Sequence, residues 1–255
     1  MIDFHSHVLP YMDDGSKNFD MSLDMLRIST DEEVKHICAT PHFIVGEYEI
    51  YRENYDEKLK GLRELCKTYN VNLDIMTGLE IYINPDIPKL YEEGKVWGIN
   101  DTKYLLIELP MEQFPRYTED VFYELRLKGA VPIIAHPERN LRIMKDPSLL
   151  TNLLEQGVLA QLNAGSLNGL YGKEVKKFAE DLVSRNMIHM LGSDGHNISG
   201  RNTKISGAFN MVREINSELY DWISRAQYDI LRGSEVEVLP VTSGKKKFKL
   251  FNLFK

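Results

Sequence analysis

The chain opens with Met1-Ile2-Asp3-Phe4-His5-Ser6-His7, and the rest of the sequence is organised around this stretch. Ile2 and Phe4 alternate with polar neighbours, a pattern typical of a short buried strand. Because side chains two positions apart lie on one face of a strand, His5 and His7 are expected to point the same way. Two imidazoles that converge from a strand end form half of a transition-metal site. The alternative is that these are two unrelated histidines near a terminus. Whether further candidate ligands follow the later strands decides between the two interpretations.

The composition narrows the class of protein. With 255 residues, 43% hydrophobic and 27% charged, the chain fits one globular domain. Lys and Arg number 31 against 38 Asp and Glu, and the net charge of −7 would repel nucleic acid. No stretch approaches the roughly 18 apolar residues of a membrane span, and no signal peptide is recognisable. Two cysteines, Cys38 and Cys66, make no disulfide framework, so the expected location is the cytoplasm.

Apolar runs of strand length alternate with helical patterns along the chain. Seven strands are predicted, at residues 1–5, 34–40, 73–80, 104–109, 131–136, 159–163 and 188–193. Helices are predicted at 21–31, 53–69, 118–128, 147–156, 173–186, 203–215 and 219–232, with a short extra helix at 85–93. Such strict alternation predicts an α/β fold with a parallel sheet in one domain over residues 1–234.

The segment 235–255 differs in composition from this domain. From Gly244 onward it mixes lysines with bulky apolar residues, after Pro240 and a Ser243-Gly244 break. A frayed, solvated tail is one interpretation. The other is an arm that makes peripheral contact with an acidic membrane surface or with a partner protein.

Imidazoles and carboxylates recur at six of the seven predicted strand ends, as active-site groups do at the carboxyl-terminal face of a βα barrel. In chain order they are His5, His7, Asp14, His42, Glu80, Glu108, His136, Asp194 and His196. The other two histidines, His36 and His189, lie inside predicted strands and are expected to be ordinary core or surface residues. Nine N and O ligands without a thiolate suit two or three ions of Mn²⁺, Fe or Zn²⁺. Such clusters hydrolyse phosphate esters.

Two arginines follow candidate ligands closely. Arg139 comes three residues after His136, and Arg201 comes five residues after His196. Planar guanidinium groups bind a phosphate dianion well beside a metal site. The alternative for each is an ordinary surface salt bridge.

This combination of motifs resembles the PHP (polymerase and histidinol phosphatase) superfamily. Within it, the chain resembles the manganese-dependent bacterial protein-tyrosine phosphatases of capsule and exopolysaccharide operons. The resemblance runs from Met1 to about Arg232, and its motifs are His-x-His, Asp-Asp-Gly, Thr-Pro-His, Glu80, Glu108, His-Pro-Glu-Arg and Ser-Asp-x-His. It implies a distorted (β/α)7 TIM-like barrel and a site for up to three ions, most readily Mn²⁺.

The resemblance also implies how the ligands are shared among three ions. The first ion would be held by His5, His7, Glu80 and Asp194, the second by Glu80, Glu108 and His136, and the third by Asp14, His42 and His196. Glu80 would bridge the first two ions. Arg139 and Arg201 would neutralise charge on the phosphoryl oxygens.

The implied function is a metal-dependent, cysteine-independent tyrosine phosphatase that acts on an autophosphorylated bacterial tyrosine kinase of capsule or exopolysaccharide synthesis. A small-molecule phosphatase of the histidinol-phosphate kind is one alternative, because the same cluster would serve it. Another alternative is a DNA-processing exonuclease or a module attached to a polymerase. The net charge of −7 argues against it, because a negative surface repels nucleic acid. If the chain is a tyrosine phosphatase, the phenyl ring of the substrate could pack on Phe43, Phe114 and Tyr117. The alternative is that these three residues are ordinary loop aromatics.

Overall fold

The computed structural model describes residues 1–243 of the chain. Residues 244–255, which hold the basic and apolar run of the predicted tail, lie outside the described part. Within the described part, no helix is long and apolar enough to cross a membrane.

In residues 1–243, nine short strands pair in parallel to form a curled sheet at the centre of an α/β fold. They are β1 (Ile2–Ser6), β2 (His36–Ala39), β3 (His42–Phe43), β4 (Asp74–Thr77), β5 (Glu80–Tyr82), β6 (Tyr104–Glu108), β7 (Val131–Ala135), β8 (Leu159–Asn163) and β9 (Met190–Gly192). One hydrogen-bonded ladder runs in the order β1-β2-β4, and the other in the order β3-β5-β6-β7-β8-β9.

Two breaks explain why nine strands are observed where seven were predicted. The chain leaves β2 through Thr40-Pro41 and re-enters the sheet as β3, and it leaves β4 through Gly78-Leu79 to re-enter as β5. Pro41 has no N–H to donate to a ladder. The resumed strands pair with each other, and their register places His42 opposite Glu80. The breaks therefore bring two candidate ligands together.

Helices cover the outer face of the sheet. They are α1 (Phe19–Asp31), α2 (Arg52–Thr68), α3 (Ile87–Glu92), α4 (Thr118–Leu127), α5 (Leu141–Lys145), α6 (Ser148–Glu155), α7 (Ala164–Leu167), α8 (Lys173–Ser184), α9 (Ser206–Ile215) and α10 (Ser217–Leu231). Each predicted helix is found within a few residues of its expected position, whereas α5 and α7, short helices after β7 and β8, were not predicted. The longer helices bury one apolar face, as Ala179, Leu182 and Val183 do in α8.

The end of β1 lies beside the end of β9. Asp194 N donates to His5 O at 2.8 Å, and His7 N donates to Gly195 O at 2.9 Å. Gly192 makes this approach possible, since a Cβ atom there would lie 2.5 Å from His5 Cβ. The first and last strands of the described fold thus bring their polar ends to one place.

The described part of the predicted tail packs on the body of the protein. Val236, Leu239 and Val241 are partly buried against the hydrophobic core. Trp222 Nε1 donates to Glu237 O at 2.8 Å, which ties the segment to α10. The domain boundary at residue 234 stays a prediction.

Candidate metal centre

The predicted ligands meet at the carboxyl-terminal ends of the strands. Three groups have ligand atoms that all lie within 4.8 Å of one another: His5, His7, Glu80 and Asp194; His7, Asp14, His42 and His196; and His42, Glu80 and Glu108. His136 joins them through Glu80, because its Nε2 lies 2.9 Å from Glu80 Oε1. The structure thus brings all nine residues into one cluster.

Four atoms at the centre of the cluster are spaced like ligands of one cation. Glu80 Oε2 lies 3.1 Å from His5 Nε2 and 3.2 Å from His7 Nε2, and the two nitrogens are 3.2 Å apart. Asp194 Oδ1 lies 3.4 Å from His7 Nε2. Neighbouring ligands of an octahedral ion at about 2.1 Å lie about 3.0 Å apart. The spacing therefore fits a shared ion.

Hydrogen bonds at Nδ1 of His5 and His7 determine which ring nitrogen faces the cluster. His5 Nδ1 lies 2.9 Å from Gln161 Oε1, and His7 Nδ1 lies 2.7 Å from Asp13 Oδ2. Both oxygens accept hydrogen bonds, so each Nδ1 carries a hydrogen and a neutral ring presents the Nε2 lone pair. Two lone pairs 3.2 Å apart cannot bond to each other. A cation between them satisfies both.

Glu80 faces both sides of the cluster. Its Oε1 lies 2.9 Å from His136 Nε2, whereas its Oε2 lies 3.0 Å from His42 Nδ1. Neither Glu80 Oε2 nor His42 Nδ1 is hydrogen-bonded to any atom of residues 1–243, although both atoms are buried. Buried polar atoms of native proteins normally have a partner. A metal ion would give both of these atoms a partner. Glu80, with one oxygen on each side, is placed to bridge two such ions.

The remaining carboxylates extend the cluster in two directions. Glu108 Oε1 lies 3.7 Å from His136 Nε2 on the buried side. Asp14 Oδ1 lies 3.4 Å from His196 Nε2 and 3.6 Å from His42 Nε2, and the Asp14 side chain is about half exposed. The third ligand group thus opens towards solvent.

The electrostatics of the cluster favour positive charge. Burial lowers the pKa of His5, but the carboxylates of Glu80 and Asp194 outweigh it and raise that pKa above its usual value. Burial and the neighbouring Glu80 raise the pKa of Glu108. Four carboxylates packed together need cations for compensation, and metal ions can supply that charge.

Two candidate ligands have a left-handed backbone conformation where their strands end. His136 has φ 31° and Asp194 has φ 52°. Non-glycine residues rarely adopt this conformation, which costs on the order of 1 kcal/mol or more and is common at functional sites. The sharp turn directs each side chain into the cluster.

Both predicted arginines reach the cluster and hold the same carboxylate. Arg139 Nη1 donates to Asp194 Oδ2, and Arg201 Nη2 donates to Asp194 Oδ1, each at 2.8 Å. The Arg139 guanidinium also lies over the Tyr171 ring, 4.2 Å from its centroid. Neither is a surface salt bridge, because Asp194 is buried.

Comparison with known proteins places the chain in a family. Residues 1–226 match the family described as capsular polysaccharide synthesis, CpsB/CapC. The chain belongs to the CpsB/CapC family. This confirms the resemblance inferred from the motifs.

The relatives of this CpsB/CapC chain include named tyrosine phosphatases. It is 38% identical over 255 residues to tyrosine-protein phosphatase YwqE of Bacillus subtilis, covering both chains completely. It is 30% identical over 217 residues to tyrosine-protein phosphatase CpsB of Streptococcus pneumoniae, covering 83% of this chain and 89% of CpsB. The predicted enzyme class therefore agrees with these relatives.

Solved structures support the fold. One from work on YwqE and CpsB, described as unique metal-dependent tyrosine phosphatases, superposes with a TM-score of 0.91 and 37% identity, covering 96% of this chain and 100% of that one. A histidinol phosphate phosphatase from Lactococcus lactis superposes with a TM-score of 0.56 at 12% identity, covering 84% and 93% of the two chains. The latter likeness concerns the fold alone.

Several residues around the candidate ligands of this CpsB/CapC structure were not predicted from the sequence. Asp13, Gln161 and Asn163 hydrogen-bond to candidate ligands, the Tyr48 ring stacks beside His42, and the Tyr171 ring lies under Arg139. Gln161 and Asn163 alternate with apolar residues on the buried strand β8, and polar side chains at every second position of a buried strand were a usable signal. Asp13 stands beside Asp14 in the Asp-Asp pair, and sequence alone does not separate a ligand from its hydrogen-bond partner.

The three aromatic residues considered for contact with a phenyl ring all pack at least partly against the core. Phe43 lies in β3 and is buried in the core, and Phe114 and Tyr117 pack partly against the core. The Tyr48 ring instead stacks beside the His42 ring, with centroids 6.4 Å apart and an interplanar angle of 28°. Tyr48 is half-buried and lies at the open side of the site.

The two histidines left outside the site behave as predicted. His36 lies near the surface, with its Nδ1 3.3 Å from Asp74 Oδ2. His189 is buried, and its Nδ1 accepts a hydrogen bond from Ala160 N at 3.0 Å. Neither is among the ligand groups of the described residues.

Proposed function

We propose that this chain is a metal-dependent protein-tyrosine phosphatase that hydrolyses phosphotyrosine on an autophosphorylated bacterial tyrosine kinase of capsule or exopolysaccharide synthesis. Family membership and the activity of the named relatives support the reaction and the process. The observation that carries the proposal is the set of buried imidazole and carboxylate atoms spaced 3.0 to 3.4 Å apart around Glu80 Oε2 and His7 Nε2. We place the enzyme in the cytoplasm, in keeping with its two free cysteines.

We propose three metal positions, with His5, His7, Glu80 and Asp194 at the first, Glu80, Glu108 and His136 at the second, and Asp14, His42 and His196 at the third. Ligands made only of imidazole and carboxylate suit Mn²⁺ best, with Fe or Zn²⁺ as alternatives. His42 faces Glu80 through Nδ1 and Asp14 through Nε2, so its ring connects the third position to the other two.

We further propose that the curled sheet closes into a distorted (β/α)7 barrel. The support is the join between β1 and β9, where Ser6 pairs with Gly195 in a single parallel bridge. In a barrel, the carboxyl-terminal ends of all strands lie on one face, which is where active sites of such barrels are found.

Bound ions would supply activated water at neutral pH and positive charge for the phosphoryl oxygens. The chain's own contribution begins with Arg139 and Arg201, each of which uses one N–H group on Asp194 and has others to donate to a phosphate. Arg201 Nε is buried and has no partner among residues 1–243. A phosphate oxygen would supply one.

Two observations favour water as the nucleophile: the leaving group departs readily, and neither cysteine is suited to attack phosphorus. A tyrosine phenol has a pKa near 10, so it departs with modest proton assistance. Burial, with a further contribution from Asp3, raises the pKa of the Cys38 thiol well above its usual value. Burial also raises the pKa of Cys66. Neither cysteine would supply a thiolate nucleophile.

The test compares substrates with the full chain purified without chelator. We expect a phosphotyrosine peptide to be hydrolysed at a much higher kcat/KM than histidinol phosphate, and we expect a chelator to abolish both activities until Mn²⁺ is restored. Metal content is measured on the same sample. Faster hydrolysis of histidinol phosphate would support the small-molecule alternative, and full activity of metal-stripped protein would overturn the proposal.

A further inference from the structure

We propose that Gln161 and Asn163 are positioning residues that join His5 to Asp194 through a directed relay of hydrogen bonds. The relay would fix which atoms of these two residues face the metal. This inference rests on the proposed function, because it takes His5 and Asp194 as ligands of one ion. It assigns a role to β8, the predicted strand whose end carries none of the nine candidate ligands.

Three short contacts make up the relay. His5 Nδ1 lies 2.9 Å from Gln161 Oε1. Gln161 Nε2 donates to Asn163 Oδ1 at 2.9 Å, and Asn163 Nδ2 donates to Asp194 Oδ2 at 2.8 Å. All four residues are buried. Water therefore does not compete for these bonds, and every member depends on its neighbours.

The direction of the relay follows from the chemistry of its last member. An ionised carboxylate only accepts hydrogen bonds, so Asn163 must turn its Nδ2 towards Asp194 and its Oδ1 towards Gln161. Gln161 must then offer Nε2 to Asn163 and Oε1 to His5. Because Oε1 accepts, His5 carries its hydrogen on Nδ1 and presents Nε2 to the metal.

The same two side chains hold further parts of the site. His136 N donates to Gln161 Oε1 at 3.4 Å, so Gln161 also contacts the backbone at the strained end of β7. Asn163 N donates to Glu138 Oε1 at 3.1 Å, in the turn that carries Arg139. The relay therefore connects the ends of β1, β7 and β9 through one strand.

The relay and a metal ion would form a closed ring. His5 Nε2 and Asp194 Oδ1 lie 3.7 Å apart on the cluster side, and Gln161 and Asn163 join the opposite sides of the same two residues. Losing one relay member leaves buried donors and acceptors without partners and frees His5 to take the other tautomer. Loss of such a hydrogen-bond partner typically weakens metal binding about 10- to 100-fold.

The main test is direct metal binding by Gln161→Leu, measured by titrating Mn²⁺ into the full chain against a competing chelator. We expect the affinity of the tightest site to fall about 10- to 100-fold. The matched control is Gln227→Leu, which removes another buried amide that contacts β1, where Gln227 Oε1 accepts from Ile2 N at 3.2 Å. That variant should lose stability but keep wild-type affinity for Mn²⁺.

A second variant, Asn163→Leu, serves if Gln161→Leu does not fold. It removes both amide contacts of Asn163 without adding charge, so we expect weaker Mn²⁺ binding with an unchanged circular dichroism spectrum. Wild-type affinity in a folded Gln161→Leu or Asn163→Leu protein would overturn the relay. Equal weakening in Gln227→Leu would also overturn it, by showing a general loss of stability. The proposed function fails separately, if His5→Ala binds metal as tightly as the wild type.

Discussion

Asp13 Oδ2 and His7 Nδ1 lie 2.7 Å apart in a hydrogen bond between two fully buried side chains. The same oxygen accepts from His42 N at 2.9 Å, and Asp13 Oδ1 accepts from Gly15 N at 2.8 Å. All three partners of the carboxylate are therefore donors. Asp13 orients one candidate ligand through its ring and another through its backbone.

Replacing Asp13 by Asn should weaken metal binding about 10- to 100-fold. The substitution preserves shape, but the amide group must turn its NH₂ towards at least one of three donors, so a buried contact is lost. Mn²⁺ titration of the variant measures the effect. Asp20→Asn, on the exposed start of α1, is the matched control and should bind Mn²⁺ like the wild type.

Arg139→Ala should lower kcat on a phosphotyrosine peptide about 100-fold, or about 3 kcal/mol, the usual loss for one charge-assisted contact in a preorganised site. Metal content should stay the same, because Asp194 retains its bonds from Asn163 and Arg201. Arg27→Ala, an exposed arginine of α1 paired with Asp24, is the control. Activity within threefold of the wild type would remove Arg139 from the reaction.

Tyr48→Ala should reduce kcat/KM for aryl phosphates more than for alkyl phosphates. Two backbone hydrogen bonds with Ile44 hold this ring beside His42, where it can contact the phenyl ring of a substrate. Tyr51→Ala, an exposed tyrosine of the same loop, should leave the ratio unchanged. An equal loss on both substrates would show that Tyr48 only supports the loop.

The double variant Cys38→Ala, Cys66→Ser should keep near-normal turnover, whereas His136→Ala should lose nearly all of it. The buried thiols have raised pKa values and lie outside the ligand groups of residues 1–243. Steady-state kinetics on metal-loaded, folded proteins tests the pair. An inactive double cysteine variant would contradict attack by water.

His189 should make the protein less stable as the pH falls. Burial lowers its pKa from 6.5 to about 4, so between these values the unfolded chain binds more protons than the folded one. Stability contributed by neutral His189 is then present above pH 6.5 and lost towards pH 4. From pH 7 to pH 5, the wild type should lose about 2 kcal/mol more than His189→Asn in urea unfolding. Equal losses would show that His189 does not titrate in this range.

Much of the candidate site was predictable, because its residues follow strands and strands have apolar, regular sequences. The period of two placed His5 and His7 on one face, and their Nε2 atoms do lie 3.2 Å apart. The number of strands was wrong, since the breaks at Pro41 and Gly78 depend on how neighbouring strands pack. The register shift in β1 between Asp3 and Ser6 depends likewise on its partner strand.

The hydrogen-bond partners of the candidate ligands were harder to predict than the candidate ligands themselves. A ligand has a characteristic residue type, whereas Asp13, Gln161 and Asn163 are recognised only once their distances to an imidazole or carboxylate are known. Arg139 and Arg201 were expected to face a phosphate, and the finding that both also hold Asp194 required the fold. Tertiary packing, and not local sequence, decides these contacts.

The join between β1 and β9 has a consequence for synthesis. Ser193 Oγ donates to His5 O across 188 residues of sequence. At about 5 to 20 residues per second, a ribosome takes on the order of 10 to 40 s to make that stretch. Throughout this interval the nascent β1 can pair with β2 but lacks its contact with the end of β9, and its histidines lack Asp194. The candidate metal centre can therefore be completed only after β9 has been made, and a truncated polypeptide that ends before β9 would lack Asp194 and His196.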